Sequence, residues 1–238
     1  MNDNDGQNLD HRRARWAVLA AVAALAGARW WIMSSPDHFA WLPAAWLQGE
    51  ARSLTRAVLN VASCWVVLVM LPWGVLAALG QRGPELLGLQ RPRFTSKLWL
   101  VAAGLLPFLA GLLGLLAVRY VPALRDAYPV FHTASRSPGG VLLSCGLTAS
   151  LILATELFYR GVALFSLERG FGAWTVYLLL PIYVLDHLGA PVAEVAGSAA
   201  AGLLLGHMAL AGRSVWPPFL IHASCALVVD LASMMISH

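Results

Sequence analysis

The sequence predicts an all-α membrane protein, a polytopic bundle of about seven transmembrane helices. Of its 238 residues 59% are hydrophobic and only 12% are charged, and ten are Trp. Long apolar runs alternate with short polar segments, and most runs approach the ~20 residues that a helix needs to cross a bilayer. No low-complexity segment or internal repeat interrupts this pattern. The sequence therefore indicates a single membrane domain over residues 16–238, after a polar cytoplasmic tail at 1–15.

The predicted spans follow from this length criterion. In chain order they are Trp16 to Met33, Ala57 to Gly80, Leu98 to Val118, Gly140 to Leu167, Ala173 to His187, Val195 to Leu210 and Trp216 to Ile236. The first run lacks a small-residue cleavage site, which favours a retained helix over a signal peptide. Residues 38–47 are too short to span and rich in Trp, as is typical of an interfacial segment.

The net charge of +4 comes almost entirely from arginine. Basic residues precede the first run and also lie between the second and third, after the fourth and after the sixth. The positive-inside rule then places the N-terminus in the cytoplasm and the C-terminus outside, in the cell (inner) membrane. Membrane lipid is the expected partner of these charges, with no nucleic-acid surface. The Ala- and Arg-rich composition and the lack of eukaryotic targeting signals favour a bacterial source.

Glu156 and Arg160 lie four residues apart in the fourth run, so they share one helix face. An intramembrane charge costs roughly 2.5 to 3.5 kcal/mol on insertion scales and persists where it is paired and used. A purely structural ion pair between helices is the alternative. Arg29, near one end of the first run, is expected to snorkel to the interface.

Further ionisable groups concentrate in the C-terminal part of the chain, which predicts a polar cavity there. They are Asp186, His187, Glu194, His207, His222 and Asp230. His222 and Asp230 are about 80° apart around one helix, so both can face inward. For Asp186 and His207 we favour a packing role, and the same role is the alternative for Asp230.

Two histidines and a glutamate in such a cavity can support peptide hydrolysis in two ways. A Glu and a His can activate water while the second His stabilises the oxyanion. Alternatively, His187 and His222 can bind zinc together with Glu156 or Glu194. The sequence has no HExxH motif, so spacing does not support zinc and we predict no cofactor.

Three ordered motifs resemble those of the CPBP family. They are Glu156-x-x-x-Arg160-Gly161, Tyr183-x-x-x-His187, and Gly202-x-x-x-Gly206 followed by Arg213 to Pro218 and His222. The family comprises intramembrane proteases related to the type II CAAX prenyl endopeptidases, including Abi and bacteriocin-processing proteins. The part of the chain that resembles the family core covers about residues 140–237. Residues 85–89 are similar to the short segment that precedes this core in the family. The resemblance implies an endopeptidase whose substrate is a peptide or membrane protein, with or without a lipid anchor.

The chain departs from the family pattern at three positions. Thr155 stands where the family usually has a leading glutamate, Tyr183 replaces Phe, and Ala226 replaces Asn. Strict correspondence is therefore limited to Glu156, Arg160, His187 and His222. Because a subset of the family is similar in carrying a later Glu and Asp, Glu194 and Asp230 are expected to stand in for the missing groups.

The resemblance implies that Glu156 and His187 deprotonate a water, that Arg160 fixes the carboxylate, and that His222 stabilises the oxyanion. An inactive relative acting as a membrane binding, scaffold or immunity protein is the main alternative, supported by Thr155. A proton-coupled transporter is a third hypothesis, although no inverted repeat supports it.

Overall fold

A computed structural model of the chain describes residues 3–34, 42–78, 85, 87–129, 131, 134 and 137–236. Within these residues every regular element is helical and no strand occurs, so the predicted all-α class is confirmed. Part of the predicted interfacial segment, residues 38–41, lies outside the described residues.

Eleven α-helices, α1 to α11, are described. In order they are Asp3–Ser34, Gly49–Ser63, Leu71–Ala78, Ser96–Leu100, Leu106–Tyr120, Pro122–Ala127, Pro138–Glu156, Leu164–Phe171, Thr175–Leu185, Val192–Gly212 and Trp216–Ile236. Three π-helical segments, Cys64–Met70, Val101–Leu105 and Leu157–Ala163, join neighbouring helices into longer rods. Helix α1 begins at Asp3, so the predicted tail at 1–15 is largely helical and continuous with the first span.

Six continuous helical stretches in the described chain are long and apolar enough to cross a membrane. They run over Arg15–Ser34, Ala51–Ala78, Ser96–Tyr120, Pro138–Leu185, Val192–Gly212 and Trp216–Ile236. The 48-residue fourth stretch contains the fourth predicted span and the fifth up to Leu185, so His187 lies beyond its end. The chain reverses direction near Gly172, where φ is 56°. The reversal is evident from Tyr159 before the turn and Tyr183 after it, whose ring centroids are 5.0 Å apart.

Small residues bring the helices close together, as expected where both sides of an interface are apolar. A Cβ on Gly114 of α5 would lie 2.9 Å from the Cys225 carbonyl of α11. The opposite face of α5 exposes large apolar side chains, including Phe108 and Leu113, which suits contact with lipid. These features agree with a multi-pass membrane protein.

The largest buried cluster surrounds the π-helical segment Leu157–Ala163. Apolar residues of α1, of Cys64–Met70 and of α9 pack against it. Single π-helical insertions are frequent at functional sites because they redirect side chains within a helix. Here the segment begins directly after Glu156, at the centre of the bundle.

Candidate active site

Glu156 lies at the end of α7 and is completely buried. Its Oε1 is 2.7 Å from Nδ1 of His222 on α11 and accepts a hydrogen bond from Arg160 Nη1 at 3.3 Å. The predicted i,i+4 pair therefore forms, and a residue 66 positions further along the chain joins it. The Oε2 atom is buried and has no hydrogen-bond partner among the described residues.

Arg160 is 2% exposed and is held by aromatic rings as well as by Glu156. Its guanidinium carbon lies 4.1 Å from the centroid of the Tyr183 ring and 5.8 Å from that of Tyr159. Both distances fall within the range of a cation–π interaction. The tyrosine that replaces the family's usual phenylalanine is thus part of the packing that fixes the arginine.

His187 lies in the turn after α9, between the spans Pro138–Leu185 and Val192–Gly212. Its Nδ1 is 2.8 Å from the carbonyl oxygen of Tyr183, and a carbonyl can only accept, so Nδ1 carries the proton. Nε2 then has a free lone pair. Burial lowers the pKa of His187 below its usual value, against opposing effects of the Tyr183 carbonyl and Asp186. Glu156 and His222 lie near enough for their charges to interact with this ring.

Two glycine positions allow the site to assemble. A Cβ on Gly161 would lie 2.6 Å from the carbonyl oxygen of Leu87, so only glycine lets the short arm at 87–90 cross the helix there. The arm is fixed to the turn between α10 and α11 by hydrogen bonds such as Val215 N to Gly88 O, at 2.9 Å. On the other side, a Cβ on Gly202 would lie 2.7 Å from Leu180, so α10 packs directly on α9 beside Tyr183.

Glu194, in the first turn of α10, is positioned near His222 but not in the Glu156 cluster. Its carboxylate lies near the Tyr128 hydroxyl, and its oxygen Oε2 is buried without a partner among the described residues. Tyr128 lies in the segment after α6, outside the membrane spans. Burial raises the pKa of Tyr128, and the Glu194 carboxylate raises it further, so the phenol remains a donor.

Asp230 is fully buried, at a different height along the bundle from Glu156. It accepts a hydrogen bond from the Thr148 hydroxyl. Thr148 and Glu156 are eight residues apart on α7, which corresponds to about 12 Å along the helix. The predicted inward orientation of Asp230 is thus observed, but its hydrogen bond to Thr148 is far from the Glu156 carboxylate.

The expectation that Arg29 snorkels is not what the structure shows. Arg29 Nη1 is 2.9 Å from Asp186 Oδ1, and the two side chains are 13% and 5% exposed. Arg29 Nη2 also donates to Asn60 Oδ1 at 2.6 Å. The partner acid arises more than 150 residues later in the chain, so no local pattern could have revealed it. Asp186 is therefore a paired group, in agreement with the packing role that we favoured.

No three His, Cys, Asp or Glu side chains among the described residues are arranged to hold a metal ion. Because Nδ1 of His187 faces the Tyr183 carbonyl and Nδ1 of His222 faces the Glu156 carboxylate, Nε2 is the ring atom that remains available on each histidine. The prediction that no cofactor is needed stays a prediction.

The segment that carries these groups matches the family model described as Type II CAAX prenyl endopeptidase Rce1-like, over residues 137–228. This match confirms the resemblance inferred from the motifs. It includes Glu156, Arg160, His187 and His222 and ends before Asp230. The matched segment is therefore similar to the type II CAAX prenyl endopeptidases over these residues. Comparisons with curated proteins and with solved structures each gave no match.

Proposed function

We propose that the protein is an intramembrane endopeptidase that hydrolyses a peptide bond through a water activated by His187 and Glu156. The observation that carries this proposal is the buried Glu156 carboxylate, which is held on one oxygen by Arg160 and His222 and leaves Oε2 for a reactant. A buried charged group with one unused oxygen is costly, and such groups persist at functional sites.

His187 is suited to accept the proton of the water. Its Nδ1–H is committed to the Tyr183 carbonyl, so Nε2 is the basic atom, and burial keeps the ring neutral near pH 7. A neutral, oriented imidazole is the usual general base at this pH. Glu156 Oε2 accepts the second hydrogen bond of the same water and thereby aligns its lone pair with the substrate carbonyl.

His222 has the opposite role to His187, because it donates a hydrogen bond where His187 accepts a proton. Its Nδ1 lies 2.7 Å from the Glu156 carboxylate, which holds the ring in place, and an Nε2–H of the protonated ring can donate to the developing oxyanion. The two histidines therefore act as base and electrophile because one faces a carbonyl and the other a carboxylate. Arg160 orients the Glu156 carboxylate through their ion pair at 3.3 Å.

Glu194 and Asp230 remain candidates as substitutes for the family groups that Thr155 and Ala226 lack. Glu194 lies beside His222 and can assist in binding or in proton transfer. Asp230 has a weaker case, because its contact is with Thr148. We further propose a peptide or membrane-protein substrate, with or without a lipid anchor, and an N-terminus in the cytoplasm with the C-terminus outside.

The test is cleavage of a peptide and membrane-protein library by purified, detergent-solubilised protein, read by mass spectrometry. We expect products from the wild type and none from Glu156→Gln or His187→Gln. Asp126→Asn, which removes an exposed acid of α6, is the matched control and should cleave as the wild type does. Equal product from wild type and His187→Gln would refute the mechanism.

An inactive relative that binds a peptide or partner helix is the second candidate. It is favoured by Thr155, whose hydroxyl donates to the Leu151 carbonyl at 3.0 Å and offers no carboxylate. A binder would show no product from any variant, while Glu156→Gln would change its affinity or stability only.

A further inference from the structure

We propose that helix α1 is part of the catalytic apparatus, because Arg29 and Trp30 hold the residues on both sides of His187. Arg29 and Asp186 are then positioning residues for the reaction, acting through the histidine without touching the substrate. The inference deepens the proposed function and rests on it for its kinetic consequence, but its structural consequence can be measured separately.

Two consecutive residues of α1 contact the turn that carries His187. Arg29 Nη1 pairs with Asp186 Oδ1 at 2.9 Å, and Trp30 Nε1 donates to the carbonyl oxygen of Leu188 at 3.0 Å. Asp186 and Leu188 are the immediate neighbours of His187. The backbone is thus held from the same helix directly before and directly after the histidine.

The clamp formed by Arg29 and Trp30 is itself fixed to the rest of the bundle. Arg29 Nη2 donates to Asn60 of α2, and the Cys64 thiol lies against both Arg29 and the Thr155 hydroxyl. Thr155 directly precedes Glu156 on α7. A continuous set of side-chain contacts therefore connects the His187 turn to the helix that carries Glu156, and networks of this kind hold groups in one arrangement.

His187 needs such support because of its place in the chain. Helix α9 ends at Leu185, and the turn that follows contains Gly189 with φ at 98° and leads to Pro191. The bond from Nδ1 to the Tyr183 carbonyl fixes the ring relative to α9 only. Its distance from Glu156 on α7 depends on contacts across the bundle, and those that flank His187 come from α1.

The segment that matches the family model begins at residue 137, so α1 lies outside it. The structure nevertheless places two α1 side chains against the turn of a candidate catalytic residue. The matched segment is therefore an incomplete site, and the first helix supplies positioning that the motifs do not contain.

The experiment compares wild type with Asp186→Asn, Arg29→Lys, Trp30→Phe and the charge exchange Arg29→Asp with Asp186→Arg. The matched control is Glu168→Gln, which breaks the ion pair of Glu168 with Arg213, away from the His187 turn. Two readouts are taken on purified protein in detergent. One is the rate at which diethyl pyrocarbonate modifies His187 relative to His222 at pH 7.5, by mass spectrometry, and the other is kcat and KM for cleavage.

A displaced His187 turn should expose Nε2, so Asp186→Asn is expected to raise the relative modification rate several-fold. Its kcat should fall by about 10²-fold with little change in KM, since displacements near 1 Å cost that much. Arg29→Lys, which keeps the positive charge, should leave the modification rate and kcat close to those of the wild type. Trp30→Phe should change both by an intermediate amount. Glu168→Gln should change neither.

Unchanged modification of His187 and unchanged kcat in Asp186→Asn and Trp30→Phe would overturn the proposal and leave the contacts as simple packing. If the wild type cleaves nothing, the proposed function fails, but the modification rates still decide whether α1 positions the turn. If the charge exchange does not fold, Arg29→Lys and Trp30→Phe provide the same comparison.

Discussion

Replacing Glu156 by Gln should destabilise the protein as well as inactivate it. The carboxylate is completely buried and its main counter-ion, Arg160, is 2% exposed. Removing one partner of a buried pair typically costs about 3–5 kcal/mol, because the other charge stays buried and unpaired. The Tyr183 ring at 4.1 Å offsets roughly 0.5–2 kcal/mol of this by its cation–π interaction. The expected net loss is therefore about 1–4.5 kcal/mol.

The double variant Glu156→Gln with Arg160→Met tests this reasoning, because it removes both charges. It should recover most of the lost stability, since a buried pair replaced by neutral groups is often no worse than the pair. Unfolding free energies in detergent or bicelles measure the difference, and cleavage is measured on the same samples. The double variant should be stable yet inactive. Stability of Glu156→Gln equal to that of the wild type would show that Arg160 does not depend on this carboxylate.

Three further predictions follow from single contacts. Gly161→Ala should lower the free energy of unfolding by about 1–3 kcal/mol, since its Cβ would lie 2.6 Å from the Leu87 carbonyl oxygen. Gly146→Ala in α7 is the control and should leave the stability unchanged, because a Cβ there meets nothing within 4 Å. The rate should rise with pH as His187 loses its proton, and the midpoint of this rise should lie below the usual value of about 6.5, because burial lowers the pKa of His187. A midpoint of this rise above 7 would exclude His187 as the base. Zinc chelators such as 1,10-phenanthroline should leave cleavage unchanged, and loss of activity restored by added zinc would contradict the metal-free mechanism.

The sequence alone predicted the features that depend on helical periodicity or on the length of an apolar run. The pair at Glu156 and Arg160 depends only on helical periodicity, and apolar length predicted the spans. The sequence also predicted that Glu156, His187 and His222 share one polar cavity, because ionisable groups concentrate in the C-terminal part of the chain, but it did not show that Nδ1 of His222 lies 2.7 Å from Glu156. Helical periodicity also turned Asp230 inward, but it could not show that Thr148 would be its partner.

Contacts between distant helices were beyond the reach of sequence reasoning. Arg29 at the end of a hydrophobic run is typical of a snorkelling residue, and only the packing of α1 against the turn after α9 turns it into a buried donor. Likewise, Tyr128 lies in a loop with no motif, and its proximity to Glu194 depends on how α6 and α10 are brought together. These partners are set by tertiary packing, which a single sequence does not encode locally.

The substitution at Thr155 becomes intelligible in this arrangement. Successive residues of a helix point about 100° apart, so Glu156 faces Arg160 and His222 while Thr155 faces Cys64 and, beyond it, Arg29. On that side Asp186 already supplies a buried carboxylate to Arg29. A glutamate at position 155 would place a second acid beside the same guanidinium, and like charges in a buried site oppose each other's ionisation. Thr155 therefore avoids placing a second carboxylate beside the Arg29–Asp186 pair.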